Sequence, residues 1–232
     1  MSLRGAWDEQ AQNWIGWTRN SLDDTFYRFH GDRFFELLPP PGRLTVDLGA
    51  GEGRVARALR ALGHTVVEVE ASARLAAASI ALSGQPVVVG DVSCLPLRSG
   101  IADVAIAFMS FQDVDEMPAA VAEAARVLRP GGRFLMAIVH PINSGGEFEP
   151  GPAEMERRFV MTESYFAHRR YVDDVDRDGR TMRFSSEHRP IESYSRALEA
   201  AGFVIEALRE VGDVEGKWTR MPLFLDVAAV RR

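Results

Sequence analysis

Apolar positions along the chain change period several times, and the changes divide it. From Trp7 to about Leu38, the residues Trp14, Trp17, Phe26, Phe29, Phe34, Leu37 and Leu38 recur at near-helical spacing, which predicts helix. "PPPG", Pro39 to Gly42, breaks that run. Short apolar runs then alternate with helical patterns of about ten residues. "RLTVDLG" predicts a buried strand and residues 54–62 a helix closed by Gly63. "HTVVEVE" predicts a strand, residues 71–82 an Ala-rich helix, and "PVVVGD" and "ADVAIAFMS" two more strands. Residues 118–128 read as helix and "GRFLMAIV" as a fifth strand. Periodicity fails over residues 143–189, which are Gly/Pro/Glu-rich at first and then charged, with a turn at Asp178-Gly179. Order returns with a helix over residues 191–201, ended by Gly202, and strands over 203–211 and 222–230.

Strands alternating with helices imply βαβ units and a parallel sheet, so the fold class is a doubly wound, Rossmann-like α/β domain. The 232 residues suffice for one such domain. It divides into an N-terminal helical cap (1–40), a core (43–142), a lid (143–189) and a C-terminal helix with strands (190–232). Composition is that of a globular protein, 46% hydrophobic and 26% charged. A net charge of −6 makes the chain a poor general binder of phosphate backbones, so no nucleic-acid partner is expected. Cys94 is the single cysteine, which excludes an internal disulfide and a Cys-rich zinc site; it reads as a half-buried filler. The polar N-terminus has no signal-peptide core, and no apolar run approaches the ~18 residues of a membrane span. A cytoplasmic protein without a membrane partner is the expectation.

The candidate chemistry begins at "VDLGAGEGRVA", the first strand-to-helix turn. In open α/β sheets ligands bind beyond the carboxyl ends of the strands, at such turns. Glycines there permit φ > 0 and close approach of a ligand to the backbone. The dinucleotide fingerprint is G-x-G-x-x-G, but Gly49, Gly51 and Gly53 give G-x-G-x-G and Arg54 stands at the third fingerprint position. No G-K-[ST] follows, so a Walker loop is absent. Glu70 lies about twenty residues on, at the end of the second strand, where a carboxylate accepts both ribose hydroxyls.

These residues resemble the class I S-adenosylmethionine-dependent methyltransferases, over nearly the whole chain. "VDLGAGEG" is similar to that family's acidic glycine loop, with Asp47 as its leading acid and Gly49, Ala50 and Gly51 along it. "VVEVEAS" resembles its second-strand acid, making Glu70 and Ala71 cofactor contacts. "VGDVSCLPL" resembles the motif after the third strand, with Asp91 beside the adenine amino group and Val92 framing the ring. "RVLRPGGRFLM" resembles the turn before the fifth strand, and "EHRPIESY" a subset containing many small-molecule enzymes. The resemblance implies a seven-stranded, mostly parallel sheet with an antiparallel last strand, and S-adenosylmethionine as cofactor, released as S-adenosylhomocysteine. Phe108 and Met109 then flank the cofactor's methionine arm, and Trp14 covers it. An acidic, glycine-rich mouth suits a cationic sulfonium better than a dinucleotide.

The acceptor side is less marked. Phe111 and Gln112 face the substrate, while Asp113 or Asp115 caps the next helix. His140, directly after the fifth strand, either takes a proton from the acceptor or bonds the lid backbone. His188 and Tyr165 are the other candidates for substrate contact, each with packing or turn-fixing as its alternative. No metal site is expected. The expected activity is methyl transfer to a hydroxyl, amine or carbon of a small molecule. The alternatives are a non-catalytic module that only binds the cofactor and, disfavoured by Arg54, an NAD-dependent oxidoreductase.

Overall fold

The structure is a computed structural model that describes residues 2–20, 29–177 and 179–232. The N-terminal helical pattern becomes α1 (Leu3–Asn20) and a short α2 (Gly31–Phe35); the part of the expectation that falls on residues 21–28, Phe26 included, lies outside the described residues. β1 (Thr45–Leu48), α3 (Arg54–Ala61), β2 (Val66–Glu70), α4 (Ala73–Ser83), β3 (Val87–Val89), β4 (Ala102–Phe108), α5 (Met117–Val127) and β5 (Leu128–Val139) then alternate as the pattern predicts. After the lid come α7 (Ile191–Ala200), β10 (Phe203–Val211) and β11 (Phe224–Arg231).

Seven strands form one sheet in the order β10-β11-β5-β4-β1-β2-β3. β1 to β5 run parallel, and β11 is antiparallel to both its neighbours, β5 and β10. Because successive strand residues point to opposite faces, each strand feeds two cores. Ala105 and Ala107 of β4 join Val46, Met117, Val121, Tyr194 and Leu198 on one face; Val104, Ile106 and Phe108 join Phe34, Val55 and Leu59 on the other. Strands buried on both faces read as continuous apolar runs, which is how β4 and β5 appear in the sequence. No helix among the described residues is long and apolar enough to cross a membrane.

The strand order puts the carboxyl ends of β1 and β4 side by side, where the order of the strands reverses, and this opens a crevice. Gly49 and Gly51 line its floor and Gly53 lies behind it, with φ of 75°, 60° and 83°, values that L side chains rarely adopt. Met109, at the end of β4, also has positive φ (53°), a strained backbone at the crevice edge.

The lid is not irregular. It contains α6 (Pro141–Gly145), a short ladder of β6 (Glu147–Phe148) with β7 (Phe159–Val160), and a nine-residue hairpin of β8 (Arg169–Arg177) and β9 (Arg180–His188). Its inner face alternates: Tyr171 opposes Ser186, Asp173 opposes Phe184, and Val175 opposes Met182. Phe184 packs on Trp7, Trp14 and Trp17 of α1, which joins cap and lid over the crevice.

Beneath the floor, Glu68 of β2 is fully buried and accepts from Arg60 Nη1 at 2.6 Å and from Ser79 Oγ. Removing one partner of a buried pair leaves an uncompensated charge. Arg60→Ala is therefore expected to lower unfolding free energy by about 3–5 kcal/mol, read from urea denaturation. A loss below about 1 kcal/mol would mean that Ser79 alone satisfies Glu68.

Candidate active site

One cavity of about 1000 Å³ opens at the carboxyl edge of the sheet and runs up to the lid hairpin. Trp14, Asp47, Gly49, Ala50, Gly51, Glu70, Ala71, Asp91, Val92, Phe108, Met109 and Gln112 all line it. The ends of four strands, β1 to β4, bring them together, with Trp14 added from α1.

Glu70 ties two of those turns. Its Oε2 accepts from the Gly51 N–H at 2.8 Å and its Oε1 from the Ser72 N–H at 2.7 Å. Burial raises its pKa, and the hydrogen bonds from Ser72, Gly51 and Ala71 oppose that rise. Each carboxylate oxygen keeps a further lone pair for a ligand hydroxyl. Asp91 accepts from Ser93 N–H at 2.8 Å and from Ser93 Oγ at 2.6 Å, with Arg4 4.0 Å away. Ser72 caps α4 and donates to Asp8 Oδ1 at 2.7 Å, which ties α1 to the same edge.

Asp47 is 1% exposed, and its Oδ2 has no hydrogen-bond partner among the described residues. Desolvation, then the neighbouring charges of Glu68 and Glu70, push its pKa up to about 8. An orphaned carboxylate oxygen in a ligand cavity fits a cationic group. The S-adenosylmethionine ammonium and sulfonium supply such charge, so the residues present fit this cofactor. Arg54 does not replace the missing glycine: its guanidinium lies 4.8 Å from the Trp14 ring centroid and 6.0 Å from that of Phe108.

The substrate candidates divide. Gln112 lines the cavity, whereas Phe111 is fully buried against Phe134 in the core. Phe111 starts a 3-10 turn (Phe111–Asp113), and that turn sends its ring inward and Gln112 outward. His140 is 4% exposed and lies outside the cavity lining. Its Nδ1 accepts from Ile142 N–H at 3.1 Å, capping α6, and its Nε2 stands 3.2 Å from Glu210. Burial lowers its pKa against the pull of Glu210. The backbone-bonding alternative describes this geometry, and the proton-accepting one does not. His188, fully buried, shares hydrogen bonds with Ser144 Oγ (2.8 Å) and the Tyr165 carbonyl (2.9 Å); Tyr165 Oη accepts from Ile191 N–H at 3.1 Å. These residues fasten the lid to α6 and α7, away from the cavity lining.

Neither expected cap forms. Asp115 accepts from the Leu3 N–H at 3.1 Å and pairs with Arg170 at 2.5 Å, while Asp113 ends the 3-10 turn and lines the cavity. α5 instead starts after Glu116, without a side-chain cap and with Pro118 in its first turn. Cys94 is exposed and not half-buried. The cavity-lining residues that sequence reasoning missed are Ser186 and Phe184, together with Asp113, which it read only as a helix cap. The available signal was the alternation in "RRYVDDVDR" and "RTMRFSSEH", a strand period on each side of an Asp-Gly turn.

Comparison with known proteins agrees with this geometry. Residues 46–136 match the family model described as "Methyltransferase domain". A ubiquinone/menaquinone biosynthesis C-methyltransferase of Caulobacter vibrioides is 30% identical over 148 residues, 57% of this chain and 58% of that protein. A malonyl-[acyl-carrier protein] O-methyltransferase of Pectobacterium atrosepticum is 34% identical over 114 residues, 48% of this chain and 45% of that one. The chain thus spans less than two thirds of the curated relatives it matches. The crystal structure of an S-adenosylmethionine dependent methyltransferase from Mesorhizobium loti superposes with a TM-score of 0.71 at 22% identity, covering 86% of this chain and 96% of that one. Glycine loop and strand order thus lie within or around a segment, residues 46–136, that is similar to methyltransferase domains, on a fold shared with the Mesorhizobium loti structure.

Proposed function

We propose that the protein transfers the methyl group of S-adenosylmethionine to a small-molecule acceptor. The observation that carries this reading is the continuity of the cavity: the space beside Asp47, Glu70 and Asp91 extends without a wall to Gln112, Tyr171 and Phe184. At about 1000 Å³ it stands at the upper end of ligand pockets, with room for donor and acceptor together. A module that only bound the cofactor would need no second compartment. An NAD-dependent reading meets, among the described residues, thirteen carboxylate residues against three cationic ones around the cavity, a poor setting for a pyrophosphate.

When bound, the cofactor supplies a methyl group already activated by its sulfonium. The chain's part is positioning. Glu70 holds the ribose, Asp91 and Val92 the adenine end, and Asp47 the ammonium. Trp14 lies over Gly51 and meets Phe184 above the crevice. Holding two reactants in line is worth about 7–11 kcal/mol of barrier. A carbon acceptor is the second reading, favoured by the name of the Caulobacter relative.

Calorimetry with S-adenosylhomocysteine tests the cofactor assignment. Micromolar-range binding, about −8 kcal/mol, is expected; binding of NADH alone would overturn it. Glu70→Ala should weaken binding by about 1–3 kcal/mol, through the lost ribose acceptor and the loosened glycine loop. The pH dependence follows from Asp47. Its carboxyl is raised to about 8 in the free protein, and the ligand ammonium favours the ionised form. Binding must therefore release a proton below that pH. Affinity should fall as pH drops below about 8, by up to about tenfold per unit, and Asp47→Asn should abolish the slope. A flat profile in the unmodified protein would remove Asp47 from the ammonium site.

A further inference from the structure

The far end of the cavity carries a second chemical signature. Asp113 closes the Phe111–Asp113 turn and accepts from Ser186 Oγ at 2.6 Å. Ser186 and Tyr171 are opposite one another in the lid hairpin, and all three line the cavity. Beside them Gln112, 4% exposed, donates through Nε2 to the Met109 carbonyl at 2.8 Å, while its Oε1 has no partner among the described residues. Asp113 has no ion pair among the described residues. The cation that bears on it, Arg189, is held by Glu187 and the Val114 carbonyl, each at 2.7 Å. Asp113 Oδ2 also lies 3.4 Å from Gln112 Nε2 and faces the Trp7 indole N–H, so the acceptor left without a partner among the described residues is the Gln112 amide oxygen, beside a carboxylate without a counter-ion.

Aromatic surface surrounds them. Trp7 and Trp14 meet edge to face with centroids 5.6 Å apart, and both meet Phe184, the residue opposite Asp173. Two of the cavity's three cationic residues already lie on rings, Arg54 over Trp14 and Lys217 over Phe148 and Trp218. Among the described lining residues, a carboxylate-bearing or phosphate-bearing acceptor would meet a predominantly acidic surface. An organic cation finds a carboxylate, an amide oxygen and π faces.

Resting on the methyl-transfer reading above, we propose that the acceptor is an amine that enters as its ammonium, and that Asp113, fixed by Ser186, pairs with it and takes its proton. In that step the N–H bond breaks, the proton passes to the Asp113 carboxylate, and the bonding pair stays on nitrogen as the lone pair. That pair forms the new N–C bond while the electrons of the old C–S bond remain on sulfur, which becomes neutral. The product leaves as an N-methylammonium, and Asp113 returns its proton to water. Burial supports the role, since it pushes the Asp113 carboxyl up to about 8. The groups that face it are Trp7 of α1, Gln112 of its own turn, Tyr171 of β8, Ser186 of β9, Arg189 between β9 and α7, and Tyr194 of α7.

The test compares phenethylammonium with its neutral analogue 2-phenylethanol and with phenylacetate, by calorimetry on protein saturated with S-adenosylhomocysteine. The ammonium is expected to bind at least about tenfold tighter than the alcohol, with phenylacetate weakest. Its affinity should rise between about pH 6.5 and 8.5 as Asp113 ionises. Asp113→Asn should remove both the preference and the pH slope while S-adenosylhomocysteine affinity stays within about twofold; Ser186→Ala should reduce the preference less. Equal or tighter binding of the alcohol to the unmodified protein, no binding of the ammonium, or a preference retained in Asp113→Asn overturns the proposal. The first two outcomes need no variant to fold. Failure of S-adenosylhomocysteine itself to bind overturns the methyl-transfer reading instead, and is seen in a separate titration.

Discussion

The carboxylate of Glu70 organises the edge on which the site depends. A glycine-rich turn has little reason to hold one shape, because each glycine loses much conformational entropy when it is ordered. Here the turn is pinned from the neighbouring strand: Glu70 accepts from the Gly51 N–H, while its other oxygen holds the Ser72 N–H at the mouth of α4. The parallel pairing of β1 and β2, with Leu48 opposite Val69, sets Glu70 one residue further along and level with the turn. The same side chain therefore shapes the floor of the cavity and offers lone pairs to what lies on it.

Charge left uncompensated is the second constraint. Three acids, Asp47, Glu68 and Glu70, are buried within two adjacent strands. Glu68 has Arg60 and Ser79, and Glu70 has backbone N–H groups. Asp47 keeps an orphan oxygen and answers by holding its proton up to about pH 8, as Asp113 does at the other end. Both folded values lie above the unfolded carboxylate value of 3.8. The folded state therefore binds more protons than the unfolded state between roughly pH 4 and 8, and stability falls as pH rises through that window. A cationic ligand that favours the ionised forms offsets the loss, so fold and binding are linked through the same two groups.

Much of this was legible because it is local in the chain. The glycine loop, Glu70, Asp91 and the five-strand alternation each occupy a few consecutive residues, and a parallel sheet leaves little freedom in where their ends meet. The lid was not legible for the opposite reason. The pairing of Tyr171 with Ser186 joins residues fifteen apart, and the contact of Asp113 with Ser186 joins residues seventy-three apart. Charged residues on the outer face, such as Asp174 and Arg183, which pair across the hairpin at 2.8 Å, masked the strand period. His140 misled because position after a strand end does not fix ring direction. Proline at 141 starts α6 at once, and the imidazole turns back to cap it.

The cap, the lid and the floor meet through one residue pair that neither motif nor period announces. Arg54 opens α3, where a dinucleotide-binding turn would need glycine for close approach. Its guanidinium reaches up to the Trp14 ring, and Trp14 in turn meets Phe184 of the lid. A glycine at that position would free the helix mouth for a phosphate but would leave α1 without this contact above the floor. The substitution thus acts twice: it removes the geometry for an anionic ligand and adds a strut that carries the cap across a cavity lined mostly by acids. The Arg54 side chain thus stands where a dinucleotide-binding turn would need glycine and, through Trp14, ties the floor to the cap.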